Sequence, residues 1–283
     1  MLSGPGDERG SQIKTIVEPP RRWRALDPRE IWNYRELLYF LAWRDVKVRY
    51  KQTAIGIVWV ILQPFLAMIV FSIIFGKLMG ISSDGVPYAV FAYTALLPWN
   101  FFSGALTRSG NSLINDSNLI SKVYFPRLVL PFSAVLSLLL DFAISFVILL
   151  GMIVFYGLAL DIKIFLLPIF LLLAFMTALG IGLWLSALNI KYRDFAHIIP
   201  FLAQFWLFIT PVAYSSKTIP QPWQMFYSLN PMVGVVEGFR WVLLGQQNLS
   251  WSSMFLSFIV VLALFIVGIF YFHSMEVEFA DVV

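Results

Sequence analysis

Between Lys51 and Lys77 the chain carries no charged side chain, and four bases (Arg44, Lys47, Arg49 and Lys51) stand directly before this run. Water does not solvate so long an apolar segment, whereas a helix of about 20 apolar residues crosses the hydrocarbon core of a bilayer. The run therefore reads as a membrane span whose basic flank stays at the anionic inner leaflet. Composition points the same way. The chain is 59% hydrophobic and 13% charged, whereas a soluble domain carries roughly a quarter charged residues. A net charge of +4 is compatible with a nucleic-acid partner, but the bases cluster beside apolar runs, so no nucleic acid is expected.

Similar apolar runs recur between charged landmarks, and they predict six spans at about 55–75, 87–107, 133–156, 164–188, 197–214 and 251–272. The expected fold class is an all-α integral membrane protein. Residues 1–26 are polar, with no apolar signal region, so the N-terminus is expected to be flexible and cytoplasmic. With that end inside, cytoplasmic segments hold sixteen Lys and Arg against four outside. This is a strong positive-inside bias. Six spans then leave the tail, 275–283, on the cytoplasmic side as well.

Two segments are not plain spans. Residues 27–53 open with Asp27, Pro28 and Glu30, a helix-start pattern. Ile31, Tyr34, Leu38 and Leu41 follow at helical spacing, which predicts an amphipathic helix on the cytoplasmic interface. Residues 218–247 are apolar but broken by Pro220, Pro222, Pro231 and glycines. They are expected to form short helices re-entering the outer leaflet, where broken backbone is tolerated only against protein or a wet cavity. Gly76 and Gly80 give a GxxxG at the end of the first span, a packing signal.

The chain has no GxxxxGK[ST], HExxH or GxSxG and no cysteine, so neither a phosphate-cradling loop nor thiolate metal ligation is supplied. No metal site is expected. His197 and His273 read as interfacial side chains. Asp141 is the single acid inside a span. Proton- and sodium-coupled carriers use chains of such groups, so Asp141 reads instead as shallow and paired with a neighbouring helix.

Five stretches then carry a resemblance: RYKQTAIGIVWVILQP (49–64), NLISKVYFPRLVLP (118–131), LNIKYRDFAHIIPFLAQFWLFITPVAY (188–214), NPMVGVVEGFRWVLLG (230–245) and FADVV (279–283). In this order they resemble the membrane subunits of type-2 ABC exporters, above all those carrying O-antigen, capsular polysaccharide or teichoic acid. The resemblance runs from about residue 28 to the C-terminus. It implies a permease of the cytoplasmic membrane that is not itself an enzyme. Two copies would form a homodimer and pair with two copies of a separate ATPase, which would bind the ATP and Mg. A lipid-linked polysaccharide would then pass outward between the permeases. A drug or lipid exporter on the same scaffold is the alternative within the family. A membrane-embedded glycosyltransferase is the alternative of another class, and would need acids such as Asp84, Asp116 and Asp161 to act together.

The resemblance also assigns residues. The loop 111–127 corresponds to the ATPase-coupling loop, with Asn115, Asp116, Asn118, Lys122 and Arg127 as candidate contacts; Asn115, Asp116 and Ser117 can cap a short helix there. The shorter loop of Lys191, Tyr192, Arg193 and Asp194 is either a second ATPase contact or a plain turn. Arg29, Arg35 and Arg44 either attract a substrate pyrophosphate or anchor the interface helix to membrane lipids. Aromatic residues make up 17% of the chain, and sugar faces stack on such rings. Trp59, Phe65, Tyr93, Trp99, Phe201 and Phe205 are thus channel candidates, set against the interfacial-belt reading of the same residues. Glu237 and Arg240, three apart on a helix, are expected to pair and to shape the periplasmic exit.

Overall fold

The computed structural model describes residues 32–51, 56–245, 251–276 and 279. Arg29 and the helix-start pattern of residues 27–30 lie outside the described residues. The described chain is helical throughout its regular structure: α1 Arg35–Lys51, α2 Gly56–Phe71, α3 Tyr88–Asn115, α4 Ser117–Ile120, α5 Val129–Leu136, α6 Leu139–Phe155, α7 Leu167–Lys191, α8 Phe195–Ile209, α9 Gln221–Tyr227, α10 Pro231–Leu244 and α11 Trp251–Met275. A π-helical stretch, Ser72–Leu78, extends α2, and a 3-10 turn, Ile162–Leu166, leads into α7.

Among the described residues, five helical stretches are long and apolar enough to cross a membrane: Val58–Leu78, Tyr88–Asn115, Val129–Phe155, Ile162–Lys191 and Trp251–Met275. The chain is an integral membrane protein. The remaining expected span, 197–214, is the shorter helix α8. Pro211 explains the shortening. A residue before proline is pushed out of the helical region, and Thr210 is extended at φ −98° and ψ 141°. At 1.5 Å per residue α8 is about 22 Å long. Beyond it the chain continues in irregular backbone.

The helix α3 is the hub, packing against α2, α5, α6, α7, α8 and α10. Of its most apolar stretch 78% is buried, against 11% for that of α2, so α2 lies at the periphery. Packing of α7 rests on two glycines. A side chain on Gly180 would come within 2.8 Å of the Phe265 backbone on α11, and one on Gly268 would run into the Gly180 carbonyl. A side chain on Gly182 would strike Ser109 of α3. Two residues turn a helix by about 200°, so one short motif lets α7 touch α11 on one side and α3 on the other. These are the close approaches that membrane packing favours. The expected GxxxG does not act this way. Gly76 sits under the Tyr88 ring, and Gly80 is a turn residue at φ +63° with open space where a side chain would be.

The basic helix α1 packs on α5 and α2. Leu41 is buried, and Tyr34, Leu37 and Leu38 lie against the core. Trp32, Tyr39, Phe40 and Trp43 point outward and are exposed. Protein covers the aliphatic face, and the aromatic face suits a bilayer interface.

The broken segment folds as α9 and α10. Asn230 caps α10, its side chain accepting from the Met232 N–H at 3.0 Å, with Pro231 following as first helical residue. Gly245 closes the helix at φ +66°, a left-handed stop that favours glycine.

Candidate functional site

Between Asn100 and Asn111, the side chains of α3 left open by the other helices are polar. Asn100 is exposed, and Ser103, Thr107 and Asn111 are half-buried. The spacing of three, four and four puts them in one stripe along the helix. Each is partly satisfied from its own helix: Ser103 donates to the Asn100 carbonyl at 3.3 Å, Thr107 to Ser103 at 2.8 Å and Asn111 to Thr107 at 2.8 Å. Asn189 of α7 donates to the Asn111 side chain at 2.9 Å. Such a stripe is costly against hydrocarbon and suits an aqueous or sugar-bearing path.

Beside the stripe, α3 and α8 border an open cavity of about 360 Å³, wide at its mouth. Trp99, Ser103, Thr107 and Arg108 line it from α3, and Pro200 and Gln204 from α8. The expected second span ended at 107 and left Arg108 in a loop. The helix instead continues to Asn115, which places Arg108 within α3. The stripe and Arg108 were missed by sequence reasoning, although four polar residues at helical spacing inside an apolar run was a signal available to it.

The basic end of the molecule is held by two ion-pair clusters. Arg49 pairs with Asp141 at the start of α6 and donates to Ser137 at 3.2 Å, and Tyr50 donates to the same Asp141. Asp141 is thus paired with a neighbouring helix. Burial and the bond to Asp141 push the Tyr50 phenol up to about 12. In the second cluster Arg44 contacts Asp45 and Asp116, each at 2.9 Å. Burial acts to lower its pKa, but the two carboxylates outweigh it and raise the net value.

These contacts reassign several candidates. Asp116 stands at the start of the short α4 but makes no side-chain cap bond; its carboxylate goes to Arg44, where a full positive charge outcompetes a backbone N–H. Arg44, already neutralised, is poorly placed to attract a pyrophosphate. Arg35 is exposed, donating to the Trp32 carbonyl at 3.3 Å and lying 5.6 Å from its ring centre. In the loop, Asn115, Asn118 and Lys122 are exposed, and Tyr124 is 87% exposed beside them. Arg127 instead turns to the tail: it donates to the Glu276 carbonyl and lies over the buried Phe279 ring, 5.7 Å from its centre.

Glu237 and Arg240 do not form the expected ion pair. Arg240 is buried; it donates to the Val212 and Tyr214 carbonyls at 2.9 and 3.1 Å and lies 3.6 Å from the Phe91 ring centre. A buried guanidinium needs several acceptors at once, and the irregular backbone after α8 supplies them. At the same end of the molecule Lys217 pairs with Asp84 at 3.2 Å. Asp84, Asp116 and Asp161 each take a separate cation, the last with Lys163 at 2.8 Å.

The channel candidates divide. Phe201 and Phe205 stack on the open face of α8, ring centres 6.4 Å apart, and are 69% and 55% exposed. Trp59 and Phe65 are exposed on α2. Trp99 is mostly covered but borders the cavity. Tyr93 is wholly buried, and its ring meets only protein; its helical position inside the hub speaks against a place on any open path.

Residues 36–244 match the family model described as ABC-2 type transporter. The chain belongs to the ABC-2 type transporter family. Among curated relatives of this ABC-2 chain is the O-antigen export system permease protein RfbA of Myxococcus xanthus, 32% identical over 214 residues, covering 75% of this chain and 82% of the relative. A protein of the same description from Klebsiella pneumoniae is 28% identical over 249 residues, covering 87% and 95%. The polysialic acid transport protein KpsM of Escherichia coli is 27% identical over 199 residues, covering 69% and 76%. The matched family region takes in α1 to α10, and so holds the stripe, the cavity and both ion-pair clusters.

Proposed function

We infer that this chain is the channel-forming permease of an ATP-driven exporter of polysaccharide, carried as a lipid-linked chain and closest in kind to O-antigen. Two copies face each other in the cytoplasmic membrane and pair with two copies of a separate ATPase, which binds the ATP and Mg. Each copy crosses six times, α8 with its irregular extension being the fifth crossing, and both termini lie in the cytoplasm. The ATPase docks on the exposed loop around Asn115, Asn118 and Lys122.

The observation that carries this reading is the polar stripe of Asn100, Ser103, Thr107 and Asn111, flanked by the open aromatic face of α8. Hydroxyl and amide groups offer exchangeable hydrogen bonds to a sugar, and the Phe201 and Phe205 rings offer faces on which it stacks. Neither grips with a fixed charge, so a long polymer can slide. The relatives' names support the same substrate class. The test is co-purification with the ATPase and reconstitution in vesicles supplied with lipid-linked glycan. ATP-dependent appearance of glycan on the far side is expected. ATP hydrolysis that leaves the glycan in place contradicts the reading.

A further inference from the structure

Arg108 has no place in the sliding path described above. Among the described residues its guanidinium makes no hydrogen bond or ion pair, although it stands in a membrane-spanning helix and borders the α3–α8 cavity. The carboxylates whose field reaches it are Asp141 and Asp45. Both are already engaged, Asp141 by Arg49 and Tyr50 and Asp45 by Arg44. An ionised side chain at such depth is a functional-site hypothesis by default, and here its usual partners are taken.

The cavity supplies the rest of a site. Its volume is on the order of ten water molecules at about 30 Å³ each, and it lies within the usual range for small-ligand sites. Ser103, Thr107 and Gln204 add hydroxyl and amide donors, and Trp99 adds an apolar wall. No acid lines it, so it fits an anion and not a cation. The planar guanidinium matches two oxygens of a tetrahedral or planar anion. Depth selects among anions. Seven residues separate Arg108 from the α3 end at Asn115, about 10 Å of helix. With Asn115 set at the membrane surface, that is the depth of the boundary between head groups and acyl chains, and phosphates are the anions that lipids hold there.

We propose that the α3–α8 cavity binds a phosphate-bearing head group, with Arg108 as its anion anchor and Thr107 and Gln204 as supporting donors. That this group is the diphosphate of the glycan's lipid carrier rests on the export reading; the anion site itself does not.

The test uses the full-length chain in dodecyl maltoside micelles, which carry no phosphate, with binding followed by native mass spectrometry and thermal shift. Three probes are offered separately: undecaprenyl diphosphate, phosphatidylglycerol and inorganic pyrophosphate. Arg108→Gln weakens binding at least tenfold, Arg108→Lys weakens it less, and Lys163→Gln on the far side leaves it unchanged. Binding of undecaprenyl diphosphate alone assigns the carrier. Equal binding of phosphatidylglycerol assigns a bulk-lipid head group to the same site, and binding of pyrophosphate assigns free phosphate. Should Arg108→Gln fail to fold, Gln204→Leu and Arg108→Lys, which keep the charge in place, carry the test through weakening of several-fold. No binding in any arm, or wild-type affinity in the Arg108 variants, overturns the proposal. No glycan enters these measurements. A chain that binds through Arg108 but moves no polysaccharide therefore sinks the export reading and leaves the site standing.

Discussion

The Arg44 guanidinium meets the Asp116 carboxylate at 2.9 Å, joining helix α1 to the turn that follows α3. Five residues further along α1, Arg49 grips Asp141 at the start of α6. Helix α1 is therefore a strut with two charged contacts in its C-terminal half, at Arg44 and Arg49. A push on the loop around Asp116 reaches α6 through it without crossing the core.

If the strut transmits motion, Arg44→Gln and Asp116→Asn each reduce ATP-driven transport by about fivefold or more while the partner's ATPase activity persists. Stability changes little, because a partly exposed pair is worth only about 0.2–1 kcal/mol. The Arg44→Asp, Asp116→Arg exchange recovers part of the transport. Parallel transport and hydrolysis assays check this, and equal loss of both would count against a strut.

The Asp141 cluster is more enclosed, so its loss shows in stability. Asp141→Asn removes the charged acceptor that Arg49 and Tyr50 share and costs about 1–3 kcal/mol. Tyr50→Phe removes one hydrogen bond at about 1 kcal/mol. Thermal unfolding in detergent measures both.

Tyr50 also sets a pH dependence. Its folded pKa, raised to about 12 by burial and then by Asp141, lies above the unfolded value of about 10. Its stabilising contribution is therefore complete below pH ~10 and lost as pH rises through the folded value of about 12. In unfolding scans between these limits, wild type loses stability more steeply than Tyr50→Phe.

At the opposite end of the molecule, Arg240→Met leaves the Val212 and Tyr214 carbonyls unsatisfied and costs on the order of 3 kcal/mol. Arg240→Lys does not rescue it, because an ammonium cannot span both carbonyls and cover Phe91. Unfolding midpoints of the two variants are expected to fall together.

Much of this architecture was legible in sequence because bilayer thickness and charge placement act through simple counting. The long apolar runs, the aliphatic face of α1 from Tyr34 to Leu41 and the pairing of Asp141 all follow from that. What escaped depends on which partner wins. Spacing alone pairs Glu237 with Arg240, but burial turns the arginine to backbone carbonyls 26 and 28 residues away. Asp116 has the chemistry of a helix cap, yet a cation from a distant helix takes it. Gly180 and Gly268 make the close crossing, and nothing in one chain's spacing shows that they meet. Arg108 was hidden by helix length, since α3 outruns the apolar stretch that announced it.

The central claim is that the α3 stripe faces an aqueous path. The chain contains no cysteine, so single cysteines at positions 100, 103, 107 and 111 can be probed with a membrane-impermeant, hydrophilic thiol reagent in the assembled transporter. Exposed outward positions of α6, Val147 and Val154, serve as lipid-facing controls. The account predicts labelling at the four stripe positions, slowed by lipid-linked glycan, with the controls unreactive. Stripe positions as unreactive as Val147 and Val154 would contradict it.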